Sequence, residues 1–190
     1  MRGKLAVLAA ATLSLVAMSA APAAAAATYG PGNYTIGPGG GDPSTYRSAD
    51  PGTGKVVILQ RNTRQAAAVN CVGDGPRATL QAVHTVTDQL TSVQVDYVDA
   101  FLSDNEIVMD VHVSGDQSGP LGHKSDFGPK MREAGSITVP LKVVPQAGEQ
   151  VTVRFGLQTG AGCLPHPQLG LPGSRFVNGG EATFTSVKVG

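Results

Sequence analysis

The sequence has no tryptophan, five phenylalanines, four tyrosines, two cysteines and only 15% charged residues. Flat platforms that stack sugar rings or single-stranded bases are built from exposed aromatics. Their scarcity argues against both, unless the amino-terminal tyrosines serve. Neither cysteine has a C-x-x-C neighbour, so a four-ligand structural zinc site of the usual kind is not encoded. After the first twenty residues no run is long and apolar enough for a bilayer span of about 20 residues. Charge of one sign is lacking too, with 14 basic against 14 acidic residues. Such a balance gives no field that would draw in nucleic acid or an anionic lipid surface.

Catalytic signatures are equally sparse. There is no G-x-S-x-G nucleophile elbow. The glycine run GPGGG (37–41) neither follows a strand nor opens a helix, so it is no phosphate loop. A glycosidase needs two facing carboxylates at a defined separation, and no spacing here places such a pair. The sequence therefore predicts no cofactor, no metal and no catalytic residue.

What is present begins with an export signal. Arg2 and Lys4 precede an apolar run from Leu5 to Ala20, and small-residue A-x-A sites follow. This order defines a secretory signal peptide over residues 1–27. The general export route is expected, since no twin arginine precedes the run. The mature chain would keep 163 residues (190 less 27), with 12 basic and 14 acidic residues, a net charge of −2. That length suits one domain. Outside the cell, Cys71 and Cys163 are expected to pair as a disulfide.

Residues 28–54 hold twelve glycines and prolines and three of the four tyrosines, Tyr29, Tyr34 and Tyr46. Such a composition predicts a flexible spacer, with a short edge strand at Asn33 to Ile36. From residue 55 to 190 the pattern is that of a β domain. Period-two alternation, which sends successive side chains to opposite faces, marks strands at 136–144, 150–158 and 182–189; the run at 55–60, apolar on both faces, reads as a covered strand, and 68–72 and 78–87 read as further strands. Pro140 lacks an N–H and predicts an edge strand or bulge. The apolar phase slips between Phe184 and Val187, which predicts a bulge near Ser186.

The most regular stretch is Thr91 to Ser114. Val93, Val95 and Tyr97 alternate with polar residues, and Ile107, Met109, Val111 and Val113 do so again after the turn formers Ser103, Asp104 and Asn105. This reads as one antiparallel hairpin, with Asp96 opposite His112 as a solvent-facing charge pair. Many short alternating strands with no 3.6-residue period predict an all-β antiparallel sandwich, immunoglobulin-like or jelly-roll-like.

Two connections, 115–135 and 160–180, read as long loops leaving one end of the sandwich, the usual place for binding. His123, Lys124, Asp126, His166 and Arg175 are their candidate binding residues. His123 and His166 could share a metal with Asp116 or Asp126, although no short His-x-His spacing supports it. His84, on the parity of Leu80 and Ala82, reads as a half-buried histidine with satisfied nitrogens. The acids Asp96, Asp99, Asp104, Glu106 and Asp110 do not match an EF-hand loop.

The function expected from these features is a secreted, non-catalytic β-sandwich that binds an extracellular protein or envelope component or serves as an envelope-associated structural protein. A secreted hydrolase using the two long loops is one alternative. The other is a protease inhibitor presenting the Pro-rich segment 164–173.

Overall fold

The computed structural model describes residues 27–39, 45–60, 77–103, 107–159 and 178–190. The expected signal segment before residue 27 lies outside these residues. So do Cys71, Cys163, the strand expected at 68–72, His166, Arg175 and the segment 164–173. Among the described residues there is no helix, and none long and apolar enough to cross a membrane.

Eleven strands are described: β1 Ala27–Tyr29, β2 Thr35–Ile36, β3 Thr45–Asp50, β4 Lys55–Gln60, β5 Arg77–Thr85 and β6 Ser92–Leu102, then β7 Ile107–Gly115, β8 Gly119–Asp126, β9 Lys130–Pro140, β10 Gln150–Thr159 and β11 Asn178–Val189. They form two antiparallel sheets. One has the order β3-β4-β11-β6-β9, with β1 also paired to β11. The other has the order β2-β5-β10-β7-β8. The chain is thus an all-β antiparallel sandwich, as its periodicity predicts.

The core lies where the apolar parities of the two sheets meet. Val151, Val153, Phe155 and Leu157 of β10, and Ile107, Met109, Val111 and Val113 of β7, are all buried. From the other sheet come Val93, Val95 and Tyr97 of β6 and Phe184, Val187 and Val189 of β11. The rings of Phe155 and Phe184, on the central strands of opposite sheets, meet edge to face at 5.1 Å. The ring of Tyr34 lies 5.0 Å from Phe155. Burial, with the charge of Asp96 adding to it, pushes the Tyr34 hydroxyl up to about 12.

Several local expectations hold. The register of β11 shifts between Phe184 and Ser186, at the expected bulge. β9 ends at Pro140 and is an edge strand. β2 is a short edge strand within Asn33 to Ile36. His84 is half-buried, with Nδ1 2.8 Å from the Tyr29 hydroxyl.

Three expectations are corrected. Thr91 to Ser114 is not a hairpin, because β6 and β7 lie in different sheets. Alternation fixes which face of a strand is apolar, and it says nothing about which strand is its neighbour. β6 also changes phase at Asp99, which has φ 51°, so that Ala100 and Leu102 turn inward after Tyr97. Secondly, residues 115–135 are not a long loop. They form a tight turn, β8, a second turn and the start of β9. Polar residues disguised β8, an edge strand with one buried side chain, Leu121. Residues 115–135 therefore supply no long loop, and most of 160–180 lies outside the described residues. Thirdly, the described parts of 28–54 contain three strands, β1, β2 and β3, and Tyr29 and Tyr34 pack onto the domain.

The turn between β7 and β8 is held by Glu149, whose side chain is fully buried. Its carboxylate accepts from the Ser118 amide at 2.7 Å, the Gln146 amide at 2.9 Å, the Ser118 hydroxyl at 2.8 Å and the Gln117 amide at 3.2 Å. A side chain at Gly115 would displace this carboxylate, since a Cβ there would lie 1.9 Å from Glu149 Oε1. The Ser118 amide, with the other donors, holds the Glu149 carboxyl below its ordinary range. Its folded pKa is depressed, so its stabilisation is fully present above the unfolded value of about 4.3 and is lost as pH falls through the folded value. We predict that Glu149→Gln lowers the melting temperature by several degrees at pH 7. It should also flatten the loss of stability between pH 5 and pH 2, about the range over which such carboxylates titrate. Thermal melts across that range check both.

Candidate functional site

The outward side chains of β5, β10, β7 and β8 form one polar face. The strand register sets Gln81 beside Arg154, Arg154 beside His112, and His112 beside His123. A second row runs Thr79, Gly156, Asp110, Ser125. Each row follows from pairing alone, since side chains at directly opposed positions stand on the same face. Gly156 leaves no side chain between Thr79 and Asp110. A Cβ there would lie 2.2 Å from the Ala78 carbonyl oxygen.

Asp110 is the hub. It is only 9% exposed, the one carboxylate buried within this face. Its Oδ1 accepts from Ser125 Oγ at 2.7 Å and lies 2.6 Å from His123 Nε2. Its Oδ2 lies 2.5 Å from His112 Nε2. The two imidazoles stack, with centroids 4.1 Å apart and planes at 21°. Burial opposes ionisation of Asp110. The hydrogen bonds from Ser125 and His123 and the two nearby imidazoles outweigh it, and the carboxyl sits below its ordinary range. Burial lowers the pKa of His112; the Asp110 carboxylate opposes this, and His123 and Arg154 add to it. The pair is thus an ionised carboxylate facing an imidazole that is readily neutral.

This arrangement resembles a serine–histidine–aspartate set only in composition. A working triad uses two different ring nitrogens, one toward the hydroxyl and one toward the carboxylate. Here His123 Nε2 faces both Asp110 and Ser125 Oγ, the latter at 3.2 Å, and the hydroxyl itself donates to Asp110. The geometry spends the hydroxyl proton on the carboxylate and leaves no base aimed at the serine. Its donor set is instead suited to holding a cation. Asp110, His112 and His123 place one ligand atom each within 4.8 Å of one another.

Beside this cluster lies an open groove of about 480 Å³, lined among others by Gln81, His112, Ser114, His123, Lys142 and Arg154. It presents amide, imidazole, hydroxyl, ammonium and guanidinium groups together.

The residues expected to bind are distributed differently from the sequence reading. His123 lies at the site, but on a strand. Lys124 follows it and points to the other side of β8. Asp126 is turned away from the groove. It accepts from Tyr97 Oη at 3.2 Å and pairs with Lys130 Nζ at 3.1 Å, tying the β8–β9 turn to the other sheet. Asp116 accepts from the Gln150 amide at 3.0 Å in the β7–β8 turn, so neither acid joins His123. The expected Asp96–His112 pair is corrected as well. Asp96 belongs to the outer face of the opposite sheet, where it meets Lys188 at 2.6 Å, Ser186 at 2.7 Å and Gln94 at 2.7 Å. Asp110, Ser125 and Arg154 were missed. The signal was the Asp110-x-His112 spacing, which puts both side chains on one strand face, together with a tight turn that returns the chain antiparallel.

No family model and no curated protein matches the chain. The solved structures similar to it are of low identity. The xylan-binding module CBM86 of Roseburia intestinalis is 8% identical, with 87% of this chain and 94% of that chain covered and a TM-score of 0.44. The carbohydrate-binding module CBM36, solved with calcium and xylotriose, is 10% identical, with 86% and 99% covered and a TM-score of 0.39. The enzymatically active domain of a bacteriophage CBA120 tailspike is 10% identical, with 81% of this chain but 19% of that chain covered and a TM-score of 0.40.

The hub makes a stability prediction. Asp110→Ala removes the acceptor shared by Ser125 and both imidazoles, and should cost about 1.5–3 kcal/mol, the usual range for hydrogen bonds to a charged group. His123→Ala, at a half-exposed position, should cost less than about 1 kcal/mol. Urea denaturation of both variants at pH 7 checks the ordering.

Proposed function

We propose that this protein is exported and acts without catalysis, by binding an acidic polysaccharide of the cell envelope or surrounding matrix along the outer face of the five-stranded sheet. The observation that carries this reading is the cross-strand row Gln81–Arg154–His112–His123 with Lys142 beside it. Four adjacent strands supply hydrogen-bond donors in a line, and strands lie about 4.8 Å apart. That is a surface for an extended, oxygen-rich ligand. The two cationic side chains favour carboxylate or sulfate groups, and Arg154 can hold a carboxylate through two parallel N–H donors. The one acid within the row's reach, Asp110, is already engaged by three partners. Export is supported by the basic start, apolar run and A-x-A sites of residues 1–27. The composition supports a polar ligand over stacked rings, because the face carries no aromatic side chain among its cross-strand rows.

Affinity electrophoresis of the mature protein through gels containing soluble acidic or neutral polysaccharides tests the proposal. Acidic polymers should retard it, with retardation weakened by salt as expected of exposed charge pairs. Arg154→Ala should lose most of the retardation while keeping its circular dichroism. Mobility unaffected by any acidic polymer, or retardation unchanged in Arg154→Ala, would contradict the proposal.

A further inference from the structure

We infer that Asp110, His112 and His123 form a three-ligand site for a divalent transition ion of the zinc class. The inference goes beyond the polysaccharide reading and stands or falls without it.

The argument starts from the strand pairing. Asp110 and His112 are two residues apart on β7, so they share its outer face, and His123 is directly opposite His112 on β8. Three donors are thereby fixed to two hydrogen-bonded strands, with no loop among them. All three ligand atoms fall within 4.8 Å of one another. Both imidazoles present Nε2, and both aim it at the same carboxylate, at 2.5 and 2.6 Å. An ion bound at about 2.0–2.2 Å from each donor fits between them after a small outward shift of the ring nitrogens. It would take the place of the protons that now lie between imidazole and carboxylate.

The ligand chemistry selects the ion. Two nitrogens and one oxygen suit zinc, copper or nickel, whereas calcium and magnesium prefer all-oxygen shells. The carboxylate is also supported from behind. Ser125 Oγ donates to Asp110 Oδ1 at 2.7 Å, the kind of outer contact that orients a metal-binding carboxylate. The site is half open. The Asp110 side chain is 11% exposed, against 38% for His112 and 50% for His123. Both histidines also line the groove, so a fourth coordination position would face it and could take water or an oxygen donor. Nearby positive charge works against the ion. Arg154 flanks His112, and affinity should accordingly be modest, not that of a closed structural site.

The test is zinc titration of the metal-free mature protein by calorimetry, with cobalt(II) as a spectroscopic probe. One zinc per chain should bind, and cobalt should show the intense visible absorption of a low-coordinate site. Asp110→Asn and His123→Ala should abolish both. Ser125→Ala should weaken zinc about tenfold, the lower end for loss of an outer-shell partner. His84→Ala should leave the binding unchanged. In the unsubstituted protein, zinc should shield His112 and His123, but not His84, from acylation by diethylpyrocarbonate, which keeps the test sound if a variant misfolds. No zinc binding at micromolar concentrations, binding retained in His123→Ala, or acylation of His112 and His123 unaffected by zinc would overturn the assignment.

Discussion

The contact of Phe155 with Phe184 is the constraint on which the rest depends. β10 and β11 are the middle strands of the two sheets, and these rings meet at the centre of the core between them. Both side chains are fully buried. With their inner faces committed to that contact, every second residue of β10 must point outward. Arg154 and Gly156 are placed on the outer surface for that reason, and β7 and β8 extend the same surface through their register with β10. The polar face is a consequence of the packed one.

Within that face Asp110 performs two tasks. It satisfies Ser125 and both imidazoles in the metal-free protein, and it fixes the histidines in a stacked pair at 4.1 Å. The same placement brings two ring nitrogens and a carboxylate together as ion ligands. The cationic row and the candidate ion site therefore share His112 and His123 while depending on different neighbours, Arg154 for one and Asp110 for the other.

Much of the fold was legible in the sequence because burial on one side of a strand leaves a period of two. The strands at 150–158 and 182–189 and the bulge near Ser186 came from that signal, those at 55–60 and 78–87 from their apolar runs, and the edge position of Pro140 from its missing N–H. Strand partnership did not, since β6 and β7 alternate equally well as a hairpin or as neighbours in opposite sheets. β8 escaped because an edge strand buries little, and Leu121 is its one buried side chain. With β8 read as loop, His123 had no partner, and Asp110 and His112 looked like an ordinary wet face. The site is formed by pairing across strands, and the Asp110-x-His112 spacing points to it only once β8 is read as a strand returning beside β7.

The claim that the five-stranded sheet carries the function is tested most directly by hydrogen exchange, read by mass spectrometry, on the mature protein with and without a saturating acidic polysaccharide. The account predicts slower exchange in β7, β8 and β10, with β3 and β9 of the other sheet unchanged. Slowing confined to β3 or β9, with β7, β8 and β10 unaffected, would contradict it.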